Sequence, residues 1–321
     1  MSEKKKVSIL IPCYNEEDNV IPLSEAITAQ MNALPQYDYE ICFIDNDSKD
    51  FTRVNIRKLC EGDSHIKAIF NVKNFGQFNS PYHGLTQMTG DCVILMCADF
   101  QDPVDMIPKF LEAWEEGYQI VCGIKTHSKE NKLMYWLRSI YYKLIKKFSQ
   151  VEQIEHFTGF ALYDKSFIKV LKDLNDPTPF LRGIVAELGG KRKEIEYTQE
   201  KRRAGKTKNN FYSLFDAAML SVTSYTKIGM RIAEFAGFIC AFLSILAGFV
   251  YLIMKLVLWN QFIAGQAPLI IIVSFLGSVI LAFLGFFGEY LSAINMRLMH
   301  RPLVIEEERI NFPSENKENR A

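Results

Sequence analysis

The chain has 321 residues, and its 37 Lys and Arg balance its 37 Asp and Glu. That length suits roughly one or two domains, and a net charge of zero removes any electrostatic case for nucleic acid as a partner. The seven cysteines, at 13, 42, 60, 92, 97, 122 and 240, form no CxxC pair and have no His-rich partner set, which argues against a structural zinc site or a disulfide framework and for reduced thiols.

The opening residues MSEKKKVSILIPCYNEE do not read as a signal peptide, because the apolar run is short and breaks at Pro12 into polar residues. VSILIPCYN predicts a buried strand ending in a turn. Residues 17–34 carry Val20, Leu23, Ala26 and Ile27 at helical spacing. YEICFIDND predicts a second strand that ends in acids, residues 52–61 a helix, and HIKAIFNVKN a third strand. GDCVILMCADF predicts a fourth strand, again ending in acids; Met106–Glu116 follows as helix and YQIVCGIKT as a fifth strand. This alternation predicts an α/β fold, a mostly parallel sheet with helices on both faces. Ligands of such sheets bind outside the carboxyl ends of the strands. Those ends carry Tyr14-Asn15-Glu16, Asp45-Asn46-Asp47 and Asp99-Phe100-Gln101-Asp102.

The second half changes character. In 132–148, Leu133, Leu137, Ile140, Leu144 and Phe148 line one helical stripe, and Lys132, Ser139, Lys143 and Lys146 line the other. That pattern suits either a membrane surface or a core-packed surface helix. Residues 211–222 repeat the spacing with Phe211, Leu214, Phe215, Ala218, Met219 and Val222, and point to an interfacial helix. Phe235–Met254 is free of charge and long enough to cross a bilayer, and so is Leu269–Gly288. Lys227 and Arg231 precede the first expected span, and Arg297, His300 and Arg301 follow the second. The positive-inside rule then puts both termini in the cytoplasm. From Glu306 the chain is charged and has no apolar period, so a flexible solvated end is expected.

Asp99 and Gln101, two apart at a strand end, can both face one ion, and their oxygens suit Mg2+ or Mn2+. Acids at strand ends also serve as helix caps, and Asp102 before Pro103 fits that plainer role.

IPCYNEEDNV, FIDNDSKD, KNFGQ, CADFQDP and RRAGKTKNNF followed by two apolar spans resemble, as an ordered set, the family-2 glycosyltransferases of the GT-A fold. The nearest group by resemblance is the polyprenyl-phosphate glycosyltransferases, kin of dolichol-phosphate mannose synthase, over roughly residues 5–300. The resemblance implies a GT-A domain over 1–208, a juxtamembrane amphipathic helix over 209–231, two transmembrane helices over 232–299 and a cytoplasmic tail over 300–321. It implies that Pro12, Tyr14, Asn15 and Glu16 line the pocket for base and ribose, that Asp45 meets the uracil or guanine edge, and that Lys73 lies close to the nucleotide. Asp99 and Gln101 take the metal and diphosphate, with Asp102 beside them in the catalytic motif. Lys125 and Arg138, the latter aligned to within one position, match lipid-phosphate cations. Arg202, Arg203 and Lys208 lie in the juxtamembrane motif, near where donor and lipid phosphates would meet, and match lipid-phosphate-binding positions; for the two arginines, attraction to anionic headgroups is an equal alternative. Two positions depart from the family: Cys97 stands where an Asp is usual, and Gly159 stands before Phe160 where many relatives carry an acid.

The activity so implied is transfer of a sugar from a nucleotide-sugar, by expectation a UDP-sugar, to a polyprenyl phosphate at the cytoplasmic face of a bacterial-type inner membrane, with inversion. A phosphate monoester with a second pKa of about 6 is mostly ionised at neutral pH, so it needs no strong general base. Relatives that form tetramers make a homo-oligomer an expectation by analogy. A processive polysaccharide synthase would carry more spans and a Gln-x-x-Arg-Trp motif, of which FLRG at 180–183 is a partial echo. The non-enzymatic alternative is a membrane scaffold on an inactive transferase fold.

Overall fold

The computed structural model describes residues 4–127, 154–200, 266–299 and 301–313, with scattered helical positions between 235 and 257. They fall into two units, one holding a sheet and the other a long helix. The sheet has eight strands: β1 (Lys5–Cys13), β2 (Tyr37–Asp45), β3 (Ile66–Asn71), β4 (Cys92–Leu95), β5 (Ile120–His127), β6 (Phe157–Asp164), β7 (Arg192–Thr198) and β8 (Glu306–Ile310). Their order is β7-β5-β6-β4-β1-β2-β3-β8. Strands β1 to β5 and β7 share one direction; β6 and β8 oppose it. The expected mostly parallel α/β sheet of the GT-A type is therefore present, with β4-β1-β2-β3 as its parallel centre.

Strand alternation feeds two cores. Ile9, Ile11, Ile41 and Phe43 turn to one face, where α1 (Val20–Asn32), α2 (Thr52–Gly62) and α4 (Met106–Glu115) bury Leu23, Ile56 and Phe110. Leu10, Cys42 and Ile44 turn to the other, beneath α3 (Gly76–Gln87), α5 (Lys165–Leu174) and α6 (Leu181–Leu188). Each fully buried side chain of this size contributes about 1.5–3 kcal/mol, so both faces of the central strands stabilise the fold.

Helix α3 has no clear signal in GQFNSPYHGLTQ, which holds two glycines and Pro81 inside the helix. Packing overrides propensity here. Tyr82 and Leu85 are buried against Leu10 and Ile44, and a Cβ on Gly84 would stand 2.9 Å from both methyls of Leu10. The glycine therefore lets the helix lie close on β1.

The charged segment from Glu306 is a strand and not a solvated end. β8 pairs antiparallel with β3, with Ala68 opposite Ile310 and Phe70 opposite Glu308. The physical reason is twofold. β3 would otherwise present an unpaired apolar edge, and the acids of β8 find cations on α2: Arg53 donates to Glu307 at 2.5 Å, and Arg57 to Glu308 at 2.9 and 2.5 Å.

In the second unit α7 (Gln266–Leu298) runs 33 residues and covers the second expected span. At 1.5 Å per residue it reaches about 50 Å, more than the ~30 Å hydrocarbon core. Its window Phe275–Ser292 has a mean hydropathy of 1.6 and, among the described side chains, none that is buried. Among the described residues it is the one helix long and apolar enough to cross a membrane. The first expected span, Phe235–Met254, is described only at scattered positions, so the hairpin stays an expectation; 132–148 and 211–222 lie outside the described residues.

Candidate active site

Three chain segments leave the carboxyl edge of the parallel centre side by side. Cys13 at the end of β1 pairs with Asp45 at the end of β2, and Leu10 of β1 pairs with Leu95 at the end of β4. Tyr14, Asn15 and Glu16 follow Pro12 and Cys13, with Asn15 in the left-handed region at φ 56°. Side chains from the β2 loop hold this turn. Ser48 Oγ accepts the Asn15 N–H at 2.8 Å, Thr52 Oγ1 accepts the Glu16 N–H at 2.7 Å, and Asn15 Oδ1 accepts the Lys49 N–H at 2.7 Å. The first two clusters are thus one hydrogen-bonded unit.

Asp45 has no exposed surface. Its Oδ2 accepts the Ser48 N–H at 3.1 Å, while its Oδ1 lacks a hydrogen-bond partner among the described residues. Burial pushes its carboxyl above the usual range, opposed by Ser48 and the Arg53 charge. Asn46 ties this end to the loop after β3, donating to Asn74 Oδ1 at 2.9 Å and accepting from Asn71 and the Phe75 N–H. Lys73 sits exposed in that loop, 5.1 Å over the Phe75 ring.

The third cluster differs from its strand-based expectation. β4 stops at Leu95, so Asp99 and Gln101 lie in a turn and not on alternating strand positions. The Gln101 N–H donates to Asp99 Oδ1 at 3.1 Å, and Phe100 between them is left-handed at φ 62°. Asp99 is 4 % exposed. Asp102 is no helix cap: α4 begins at Met106 after Asp105. Instead its Oδ2 accepts the Cys97 N–H at 2.8 Å and its Oδ1 accepts the Tyr197 hydroxyl at 3.2 Å. Burial pushes the Asp102 carboxyl up to about 6, helped by the charge of Asp99 and opposed by the Cys97 N–H. Cys97 itself is exposed.

Tyr197 was not foreseen, since nothing in RKEIEYT marks one tyrosine as special until β7 is placed. It pairs with Lys125 across β5 and β7, and its ring meets Phe160 edge-on at 5.3 Å. A Cβ on Gly123 would stand 2.9 Å from Phe160 Cδ1 and 3.2 Å from Tyr197 Cε1. Tyr197 joins β7 to the Asp99–Asp102 turn, and Lys125 stands beside Tyr197 in the register of β5 and β7. Arg138, Arg202, Arg203 and Lys208 lie outside the described residues.

Asp99 is the carboxylate of this turn that could hold a cation. Among the described residues no three His, Cys, Asp or Glu gather into a metal-holding group. This donor set fits an ion shared with substrate phosphates, as Mg2+ commonly is, and not an all-protein cage.

Comparison with known proteins gives one family. The profile described as "Glycosyl transferase family 2" matches residues 8–171. The protein named "Bactoprenol glucosyl transferase" of Shigella phage SfV is 31% identical over 301 residues, covering 94% of this chain and 97% of its own. The "Prophage bactoprenol glucosyl transferase homolog" of Escherichia coli is 29% identical over 301 residues, covering 94% and 98%. The "Putative glycosyltransferase CsbB" of Bacillus subtilis is 31% identical over 313 residues, covering 97% and 93%.

Proposed function

The chain belongs to glycosyl transferase family 2, and from that premise we propose that this glycosyltransferase moves a sugar from a UDP-sugar to the phosphate of a polyprenyl lipid. The observation that carries the reading is the shared edge: the ends of β4, β1 and β2 are neighbours, so their polar turns gather where a nucleotide and its diphosphate would meet. The names of the SfV and Escherichia coli relatives support a lipid acceptor and make a glucosyl group the first donor sugar to test.

In this reading Pro12, Tyr14, Asn15, Glu16, Asp45 and Lys73 receive the nucleotide, and Asp99 with Gln101 faces the diphosphate. Asp45 has no exposed surface, so direct contact with a base needs its surroundings to open. A divalent cation, Mg2+ or Mn2+, bound by Asp99 and the diphosphate would offset the charge that develops on the leaving group. Asp102 holds the turn in shape through Cys97 and Tyr197. Lys125, with Arg138, Arg202, Arg203 and Lys208, offsets repulsion between the two anionic substrates. A lipid phosphate oxygen bonds to the anomeric carbon as its bond to the diphosphate breaks, which inverts the configuration. The lipid phosphate, with a second pKa of about 6, is ionised enough to attack without a strong base. We assign the anchor to two spans with both termini in the cytoplasm, the reaction to the cytoplasmic face, and the assembly to a homo-oligomer.

The test is incubation of the purified full chain with a polyprenyl phosphate and a panel of UDP- and GDP-sugars, with and without a chelator. One sugar per lipid, lost with chelator and restored by Mg2+ or Mn2+, is the expected product pattern. A long polymer would point to a processive synthase, and failure to bind any nucleotide to a scaffold.

A further inference from the structure

Asp45 is walled in by few ionisable groups. Arg53 faces it from α2, with Nε 3.4 Å from Asp45 Oδ2, an ion-pair distance. Cys13 of β1 pairs with Asp45 in the sheet, and the charges of Asp45, Glu16 and Asp50 push its thiol up, after burial. β3 presents Phe70, which carries no charge, and the loop presents Ser48.

Arg53 is itself held from elsewhere. Its guanidinium lies 4.9 Å over the Phe70 ring, and Nη2 donates to Glu307 Oε2 at 2.5 Å. One guanidinium therefore spans two anions, with Nε toward Asp45 and Nη2 toward Glu307. The Nη2 bond to Glu307 and the stack on Phe70 hold the guanidinium with Nε toward Asp45, at ion-pair distance and without a hydrogen bond among the described residues. Glu307 belongs to β8, the strand that comes after α7 in the chain. The next residue provides an internal control. Glu308 binds Arg57 of the same helix α2 and feels the Arg53 charge only at longer range, and among the described residues no ion pair joins Arg57 to Asp45.

We propose that Arg53 is a positioning residue for Asp45, and that Glu307 holds Arg53 in place, so that the strand following the long helix helps to set nucleotide affinity. The proposal rests on the reading of Asp45 as a nucleotide contact. Its physical content is a charge chain from the last strand to the end of β2. When Glu307 loses its charge, Arg53 is free to turn toward solvent and Asp45 loses the cation that faces it. Burial already pushes that carboxyl up, so losing the cation moves its titration to still higher pH.

The experiment uses the full chain in lipid nanodiscs. UDP and GDP affinity is measured by calorimetry between about pH 5 and 8, and KM and kcat by sugar transfer, for wild type, Glu307→Gln, Glu308→Gln and Arg53→Lys. Glu307→Gln is expected to weaken nucleotide binding about two- to fivefold, the range for a partly exposed ion pair. KM for the donor rises with kcat nearly unchanged, and the acid limb of the binding curve moves to higher pH. Glu308→Gln removes an adjacent pair of the same strand, whose charge reaches Arg53 only at longer range, and shifts affinity and pH limb less than Glu307→Gln does. Arg53→Lys keeps the charge but not the fork and moves in the direction of Glu307→Gln; it carries the test if that variant fails to fold. Equal losses in Glu307→Gln and Glu308→Gln, or no loss in Glu307→Gln, overturn the proposal. A wild type that binds neither nucleotide overturns the nucleotide reading of the site, and this inference with it.

Discussion

Two carboxylates three positions apart do different work because of where their oxygens lie. Asp99 accepts the Gln101 N–H and sits at the sheet edge, whereas Asp102 is committed to Cys97 and Tyr197. We expect Asp99→Ala to abolish sugar transfer, at least a hundredfold or ~3 kcal/mol of transition-state stabilisation, while circular dichroism and membrane insertion stay at wild type. Transfer at the wild-type rate would remove Asp99 from the diphosphate site. Asp102 makes a pH prediction. Its carboxyl titrates near 6 in the folded chain, above its unfolded value near 3.8. The folded state therefore binds the proton more tightly. The stability this supplies is fully present below the unfolded pKa and is lost as pH rises through about 6. The loss amounts to roughly 3 kcal/mol. Asp102→Asn, which cannot titrate, should flatten this trend, so melting temperatures of wild type and variant should converge on acidification and diverge toward pH 7 with the variant higher. Parallel melting curves across that range would count against the buried carboxyl. Of these residues, the sequence showed Asp99, Gln101 and Asp102 as acids and an amide after a strand. Tyr197, nearly a hundred positions away, was invisible because its role exists only once β7 lies beside β5.

Among the elements, the strands with continuous apolar runs were legible: β3 and β4 lie within the runs that predict them, and β1, β2 and β5 overrun theirs by one or two residues at one end, because a strand buried on both faces has no polar position to confuse the pattern. α3 and β8 were not. α3 forms because Gly84 permits contact with Leu10, and β8 forms because an edge and two arginines await it. Neither partner is local in sequence. The tight layer of β5, β6 and β7 gives a third prediction. Gly123→Ala would force a Cβ within 2.9 Å of Phe160 and 3.1 Å of its carbonyl oxygen. Overpacking of this kind costs about 1–3 kcal/mol, and here it should also spread Tyr197 from Asp102. We expect a lower denaturation midpoint together with a raised donor KM. Wild-type stability would mean that the layer relaxes without cost.

At the scale of the whole molecule, a transferase unit is joined in one chain to a helix with an apolar surface. Among the described side chains of the window Phe275–Ser292 none is buried, and an apolar surface of that length calls for lipid. The chain is therefore expected to stay with membranes through an alkaline carbonate wash. Leu281→Lys combined with Leu284→Lys, each costing about 3 kcal/mol near the centre of a span, should lower the retained fraction. Unchanged retention would assign anchoring to other segments. What the sequence determined by itself was the α/β class, the apolar helix and the three polar strand ends, because these depend on periodicity and on residues adjacent in the chain. Tertiary structure alone decided that Asp102 clamps a turn through Tyr197, that Arg53 bridges Asp45 and Glu307, and that a charged tail segment closes the sheet. Each joins groups far apart in the chain, and their energy appears only when folding has brought them to hydrogen-bond or ion-pair distance.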